Sequence, residues 1–167
     1  MKYFTPNRLM RLQDHSDKKR YLRALNDWER ALQSYRDHLE QNMGRLPRGL
    51  RKLVNSISLH DAQVLDMWHA NSRLNITLRP ESDPSKLVVL RYVLLEQPRI
   101  NREALPETMR SLQMTWLYDE WDAPRTLDAE GRPVFTHDIL LSNGWEIRLR
   151  FQSMAVTRPS PLVPTVF

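Results

Sequence analysis

The apolar residues of this chain follow one period up to about residue 57 and another after it, and no single element can satisfy both. In the first part Tyr21, Leu25, Trp28, Leu32, Tyr35 and Leu39 recur at spacings of 4, 3, 4, 3 and 4, which is one face of a helix. From His60 the period is two: Leu74, Ile76 and Leu78 alternate with Arg73, Asn75, Thr77 and Arg79, the pattern of a half-buried strand. The switch predicts an α+β fold, with two or three N-terminal helices packed on one face of a C-terminal antiparallel β-meander of about five or six strands. The expected boundaries are a single domain over 1–156, helical over 1–57 and sheet over 58–156. A Pro-rich extended or disordered tail is expected over 157–167, from Pro159, Pro161 and Pro164.

Within the helical part, Thr5 and Pro6 form a start signal, a capping hydroxyl followed by a residue that lacks the N–H left unpaired there. A short helix over 6–13 follows, with Phe4 and Leu9 as its hydrophobic staple. Ser16 or Asp17 opens the long helix, and Gly44 closes it. Tyr21, Trp28 and Tyr35 fall seven apart, as in a coiled coil, but a row of Tyr and Trp is too bulky for a two-stranded seam. The helix is therefore expected to lie across the sheet of its own domain. A third helix over about 47–55 supplies Leu50, Leu53 and Val54.

Strands are expected at about 62–69, 73–79, 87–95, 115–121, 134–141 and 145–152. The stretch 87–95 is apolar on both faces, which predicts a central strand covered on both sides. For the last hairpin, a two-residue turn at Asn143-Gly144 would put Phe135, Ile139 and Leu141 on the opposite face from Trp145, Ile147 and Leu149. A three-residue loop pairs Leu141 with Trp145 and puts both sets on one face, so that register is expected, with Gly144 left-handed in a bulge.

Residue usage removes several function classes. The chain has 167 residues and no cysteine, so disulfides, thiolate nucleophiles and Cys-ligated metals are absent. Its four glycines, at 44, 49, 131 and 144, form no phosphate-cradling loop. No apolar run approaches the roughly 18 residues of a membrane span, and Pro6 and Arg8 precede any signal-like stretch. A cytoplasmic protein with no membrane partner and no cofactor is the expectation.

The 25 Lys+Arg and 20 Asp+Glu are unevenly placed, with 13 and 6 of them in residues 1–55. Lys18, Lys19, Arg20, Arg23 and Arg30 lie away from the apolar stripe and are the candidate nucleic-acid contacts, since exposed helical cations can meet phosphates. Asp27, Glu29, Asp37 and Glu40 interrupt the same helix, and no helix-turn-helix, RNP or zinc-finger signature accompanies them.

Four short segments carry a resemblance: Met1-Lys2-Tyr3-Phe4-Thr5-Pro6, Leu59-His60-Asp61-Ala62, Trp116-Leu117-Tyr118-Asp119-Glu120, and Phe135-Thr136-His137-Asp138-Ile139-Leu140-Leu141-Ser142-Asn143-Gly144. On them the chain resembles an uncharacterised family of small bacterial cytoplasmic proteins, a domain of unknown function with helices before a sheet. The resemblance implies no activity and no catalytic residue.

The only pattern suggestive of chemistry is the pair of dipeptides His60-Asp61 and His137-Asp138, with Asp119 and Glu120 between them. Imidazole and carboxylate suit a divalent metal, so a metal-dependent hydrolase using His60, Asp61, His137, Asp119 and Glu120 is one alternative. Neighbours in a strand point to opposite faces, however, so His137 and Asp138 cannot serve one site. His137 is expected in a structural hydrogen bond, with no metal and no enzymatic role. The leading expectation is a non-enzymatic protein-interaction module, such as an immunity or accessory protein, binding an unidentified protein partner through Tyr3, Phe4 and Trp121. Nucleic acid is the alternative partner.

Overall fold

Helix α1 (Pro6–Gln13) starts where its cap chemistry lies: the Thr5 hydroxyl accepts the Arg8 N–H. Asp17 does the same for Arg20 at the head of α2 (Lys18–Asn42), and Pro47 precedes α3 (Arg48–Ser56). The strands are β1 (Gln63–Ala70), β2 (Arg73–Arg79), β3 (Val88–Leu94), β4 (Arg99–Asn101), β5 (Trp116–Asp122), β6 (Phe135–Leu141) and β7 (Glu146–Thr157). This is a computed structural model, and it describes residues 1–123 and 127–158. The fold is α+β, with the helices first and one seven-stranded antiparallel sheet after them.

The order along the sheet is β1-β2-β3-β7-β6-β5, with β4 beside β7. Two three-stranded meanders are thus joined by a β3–β7 pairing, a longer-range connection than one continuous meander. The sheet then curls until its two ends meet. Gln63 bridges Thr115, the Val64 N–H donates to Met114 O at 2.9 Å, and the Trp116 N–H donates to Ala62 O at 2.8 Å. The inner surface becomes the main core, filled by Tyr92, Trp116, Ile139, Leu149 and Phe151.

In the β6–β7 hairpin Ile139 faces Ile147 and His137 faces Leu149. Leu141 bonds Trp145, and Gly144 sits at φ +89°. That is the three-residue-loop register, the one that buries both apolar sets together.

Three expectations are corrected. The helices do not share one face. Leu50 and Leu53 of α3 join the inner core, whereas Trp28 and Tyr35 of α2 pack with Leu140 on the outer surface. Second, β3 is not the strand covered on both sides: Arg91 and Val93 are exposed while Leu90 and Tyr92 are buried. The doubly covered strand is β6, whose consecutive Ile139, Leu140 and Leu141 are all fully buried. Third, β7 runs on to Thr157. One extra residue at Gln152 shifts its register against β3, after which Ser153 pairs Val93 and Thr157 pairs Val89. The bulge changes which side chains face inward, from Phe151 to Met154, and so interrupts the alternation in the sequence. Thr157, expected in the 157–167 tail, instead closes β7, Arg158 donates to Ser56 Oγ at 3.1 Å, and 159–167 lies outside the described residues.

Candidate functional site

Helix α2 buries a seam different from the one its strongest apolar residues suggest. Ala24, Trp28, Ala31 and Tyr35 are buried, while Leu25, Leu32 and Leu39 are only half-buried. This seam is the side on which Trp28 and Tyr35 join α2 to the residues of α1 and β5, and at about 100° per residue the leucine row lies to one side of it. There Leu32 and Leu39 form one wall of a groove of about 600 Å³, with Leu53, Val54 and Ile57 opposite and Leu117 and Tyr118 between. Phe4, Tyr35 and Trp121 line its depth, and Arg36, Ser56 and His60 stand at its rim.

One carboxylate lines this groove, that of Asp119, and it leads inward. Asp119 Oδ1 accepts the Trp116 indole N–H at 3.1 Å, and Oδ2 lies 3.1 Å from His137 Nε2. His137 Nδ1 lies 2.9 Å from the Tyr92 hydroxyl. A carboxylate only accepts, so Nε2 carries the proton, Nδ1 accepts, and Tyr92 donates. His137 is fully buried and stacks flat on Trp121. Burial holds its pKa below the ordinary histidine value, against the opposing pull of Asp119. Burial likewise pushes the Tyr92 hydroxyl well up.

Glu120, the next residue, points to the other surface. Its carboxylate accepts the backbone N–H groups of Lys2, Tyr3 and Phe4 at 2.6, 2.7 and 2.6 Å. Those three bonds strap the N-terminal segment across β5. Beside the strap lies a polar cleft of about 480 Å³ containing His38, Arg99, Asp138, Arg148 and Arg150. Its arginines are held in place: Arg148 grips Asp138 at 2.6 and 2.9 Å, and Arg150 and Arg99 both bind Glu96.

The residues singled out from sequence are therefore distributed. Asp119 and His137 meet inside the sheet, and Glu120 serves the strap. His60 and Asp61 bond each other at 2.6 Å on the surface, against the Tyr118 ring, with Asp61 at φ +61°. Among the described residues no three His, Asp or Glu side chains converge as a metal site. Phe4 and Trp121 are each 4% exposed, so neither is a free anchor for a partner; they brace the groove from within. Tyr3 is half-buried against Tyr35 and His38. Lys18, Lys19, Arg20, Arg23 and Arg30 are all exposed. Lys19, Arg23 and Arg30 share the side of α2 opposite its buried seam, and Arg30 shares Asp27 with Arg8 and Arg11.

Sequence reasoning missed the groove wall, Tyr92, and the cations Arg48, Arg51 and Lys52 on α3. The signal for those cations was present: residues 41–60 contain no Asp or Glu. No family model, curated protein or solved structure matches the chain.

Proposed function

We propose that the chain is a non-enzymatic binding module that receives a protein partner in the groove between α2, α3 and β5. The half-buried row Leu32 and Leu39 carries this reading. A helix that only had to pack on its own sheet would bury its whole apolar stripe, whereas α2 buries Trp28, Tyr35 and two alanines and leaves Leu32 and Leu39 half-buried along an open groove. The volume and the largely apolar lining suit a binding site. The polar groups at its floor support a structural role for themselves. Both oxygens of Asp119 and both nitrogens of His137 are engaged with neighbours, so none is poised toward the groove as an acid or base. An immunity or accessory protein works by such occupancy alone.

Peptides selected from a random displayed library on the full chain test the reading, with the site mapped by amide NMR shifts. The selected peptides are expected to move resonances of Leu32, Leu39, Val54 and Leu117. They should lose about tenfold or more in affinity against Leu32→Arg, a half-buried position from which arginine can turn outward. A library that yields no binder, or only binders mapping to the sheet surface around Trp68, would overturn it.

A second reading, nucleic-acid binding through the basic helices, rests on one observation. Lys18, Lys19, Arg20 and Arg23 are exposed, and none takes part in an ion pair among the described residues.

A further inference from the structure

We infer that the segment received by the groove is acidic and amphipathic, a helix with one apolar face and Asp or Glu on its flanks. This rests on the reading of the groove as a docking surface and adds the chemistry of the partner. Residues 41–60 place Arg45, Arg48, Arg51 and Lys52 on and just before α3 without one acidic residue. All four are exposed, and no ion pair among the described residues includes them. The polar cleft differs, since each of its arginines has a carboxylate.

The charges of the α3 cations are unfavourably placed for the helix itself. Arg48 stands three and four residues from Arg51 and Lys52, where like charges repel. Arg48 also sits in the first turn, the end of a helix that disfavours positive charge. Cations kept at such positions are explained by something outside the chain that neutralises them.

Their position relative to the groove says what that is. Asn55 lines both the groove and an adjoining hollow formed with Met43, Arg48, Arg51 and Lys52. Arg36 stands on the facing wall, and Arg158 reaches Ser56 on the rim. Among the described residues the one carboxylate lining the groove, Asp119, is already committed to Trp116 and His137, and Asp61 beside the rim is bonded to His60. An apolar trough with a basic border complements a helix carrying leucine-like anchors at i, i+3, i+4 and i+7 between acidic flanks. A nucleic acid fits less well. Phosphates match the border, but a sugar–phosphate strand has no apolar edge for Leu32, Leu39 and Leu53. The deep aromatic rings, Phe4 and Trp121, are too buried for bases to stack on them.

The test titrates the full chain with two fluorescent peptides of about 16 residues that share the same apolar positions and differ only in flanks of Glu or of Lys. The Glu peptide is expected to bind, to weaken as salt is raised, and to lose roughly tenfold in affinity against the double variant Arg51→Glu/Lys52→Glu. The neutral pair Arg51→Gln/Lys52→Gln should lose less. Both positions are exposed, and melting curves of each variant check that the fold is kept. Equal binding of the Lys peptide would overturn the charge inference and leave the groove standing. So would failure of the Glu peptide while library-selected peptides still map to the groove. Glu-peptide binding that is untouched by Leu32→Arg would overturn the groove itself. A DNA duplex of about 20 base pairs that displaces the Glu peptide and binds through the same cations would overturn the inference in favour of nucleic acid. Binding seen only after truncation beyond Arg158 would overturn it in favour of the chain's own 159–167 segment as occupant.

Discussion

The cluster enclosed by the sheet is held by strands laddered to one another, with α3 against it, whereas the cluster between α1, α2 and the outer surface of β5 and β6 is held mainly by side chains of helices and the N-terminal segment. Inside, Tyr92, Trp116 and Phe151 are at most 1% exposed, among aliphatic side chains from every long strand. Outside, aromatic rings form the centre of the cluster. Trp28 meets Phe4 at 5.5 Å and Tyr118 at 4.8 Å between ring centroids, and Phe4 meets Tyr35 edge-on at 5.1 Å. Ladder hydrogen bonds run around the inner cluster, and α3 covers part of it. The outer one is pinned by a few polar contacts: the three N–H bonds to Glu120, and the Tyr35 hydroxyl accepting the Trp121 N–H at 2.7 Å. A cluster built this way can open without unfolding the sheet. The proposed binding groove lies along it, where some mobility is useful.

The comparison is broken most severely by truncating one large aromatic in each cluster. Phe151→Ala is expected to cost about 4–5 kcal/mol and to unfold the whole domain at lower denaturant in one transition. Trp28→Ala is expected to cost about 3 kcal/mol, the lower end of the same range. Its amide exchange should rise in α1 and α2 while β3 and β7 stay protected. Equal loss of protection in β3 and β7 would mean that the two clusters open as one unit.

A smaller effect comes from the strap. In Glu120→Gln one carboxamide oxygen faces three backbone donors, and its NH₂ group adds more donors where none is wanted. A loss of about 2 kcal/mol is expected, with faster exchange at Tyr3 and Phe4. Unchanged exchange there would show that the aromatic contacts hold the segment without Glu120.

The mildest probe is pH, and it acts on the inner cluster. Burial lowers the pKa of His137 below the ordinary value of 6.5, so the unfolded chain takes up the proton first as pH falls. The stability this histidine contributes is fully present above about pH 6.5, and it declines as pH drops from there toward the lowered folded-state value. Urea unfolding at a series of pH values should show this slope in the native chain and a flatter one in His137→Gln. Identical slopes in the two proteins would remove His137 from the acid sensitivity of the fold.

Much of the fold is legible because it depends on short-range rules. Thr5 and Asp17 cap helices because the orphan N–H groups they accept lie three residues on. Alternation in β2 and the Leu141–Trp145 register follow from the two-residue repeat of a strand. Only the tertiary structure decided which faces were covered. The apolar residues of β3 and β6 look alike in a one-dimensional pattern, but α1 and α2 lie over β6 and leave the outer side of β3 in water. The bulge at Gln152 erased an alternation that physically continues to Thr157. The site was less legible than the fold. His137 could be placed on the apolar face by counting, but its partners Asp119 and Tyr92 come from other strands, 18 and 45 residues away. The groove depends on α2 burying the seam of Ala24, Trp28, Ala31 and Tyr35 while Leu32 and Leu39 stay half-buried, which follows from where α1 and β5 meet the helix. Period and composition record which residues are apolar, whereas the distance between packed elements determines which of them are left to meet a partner.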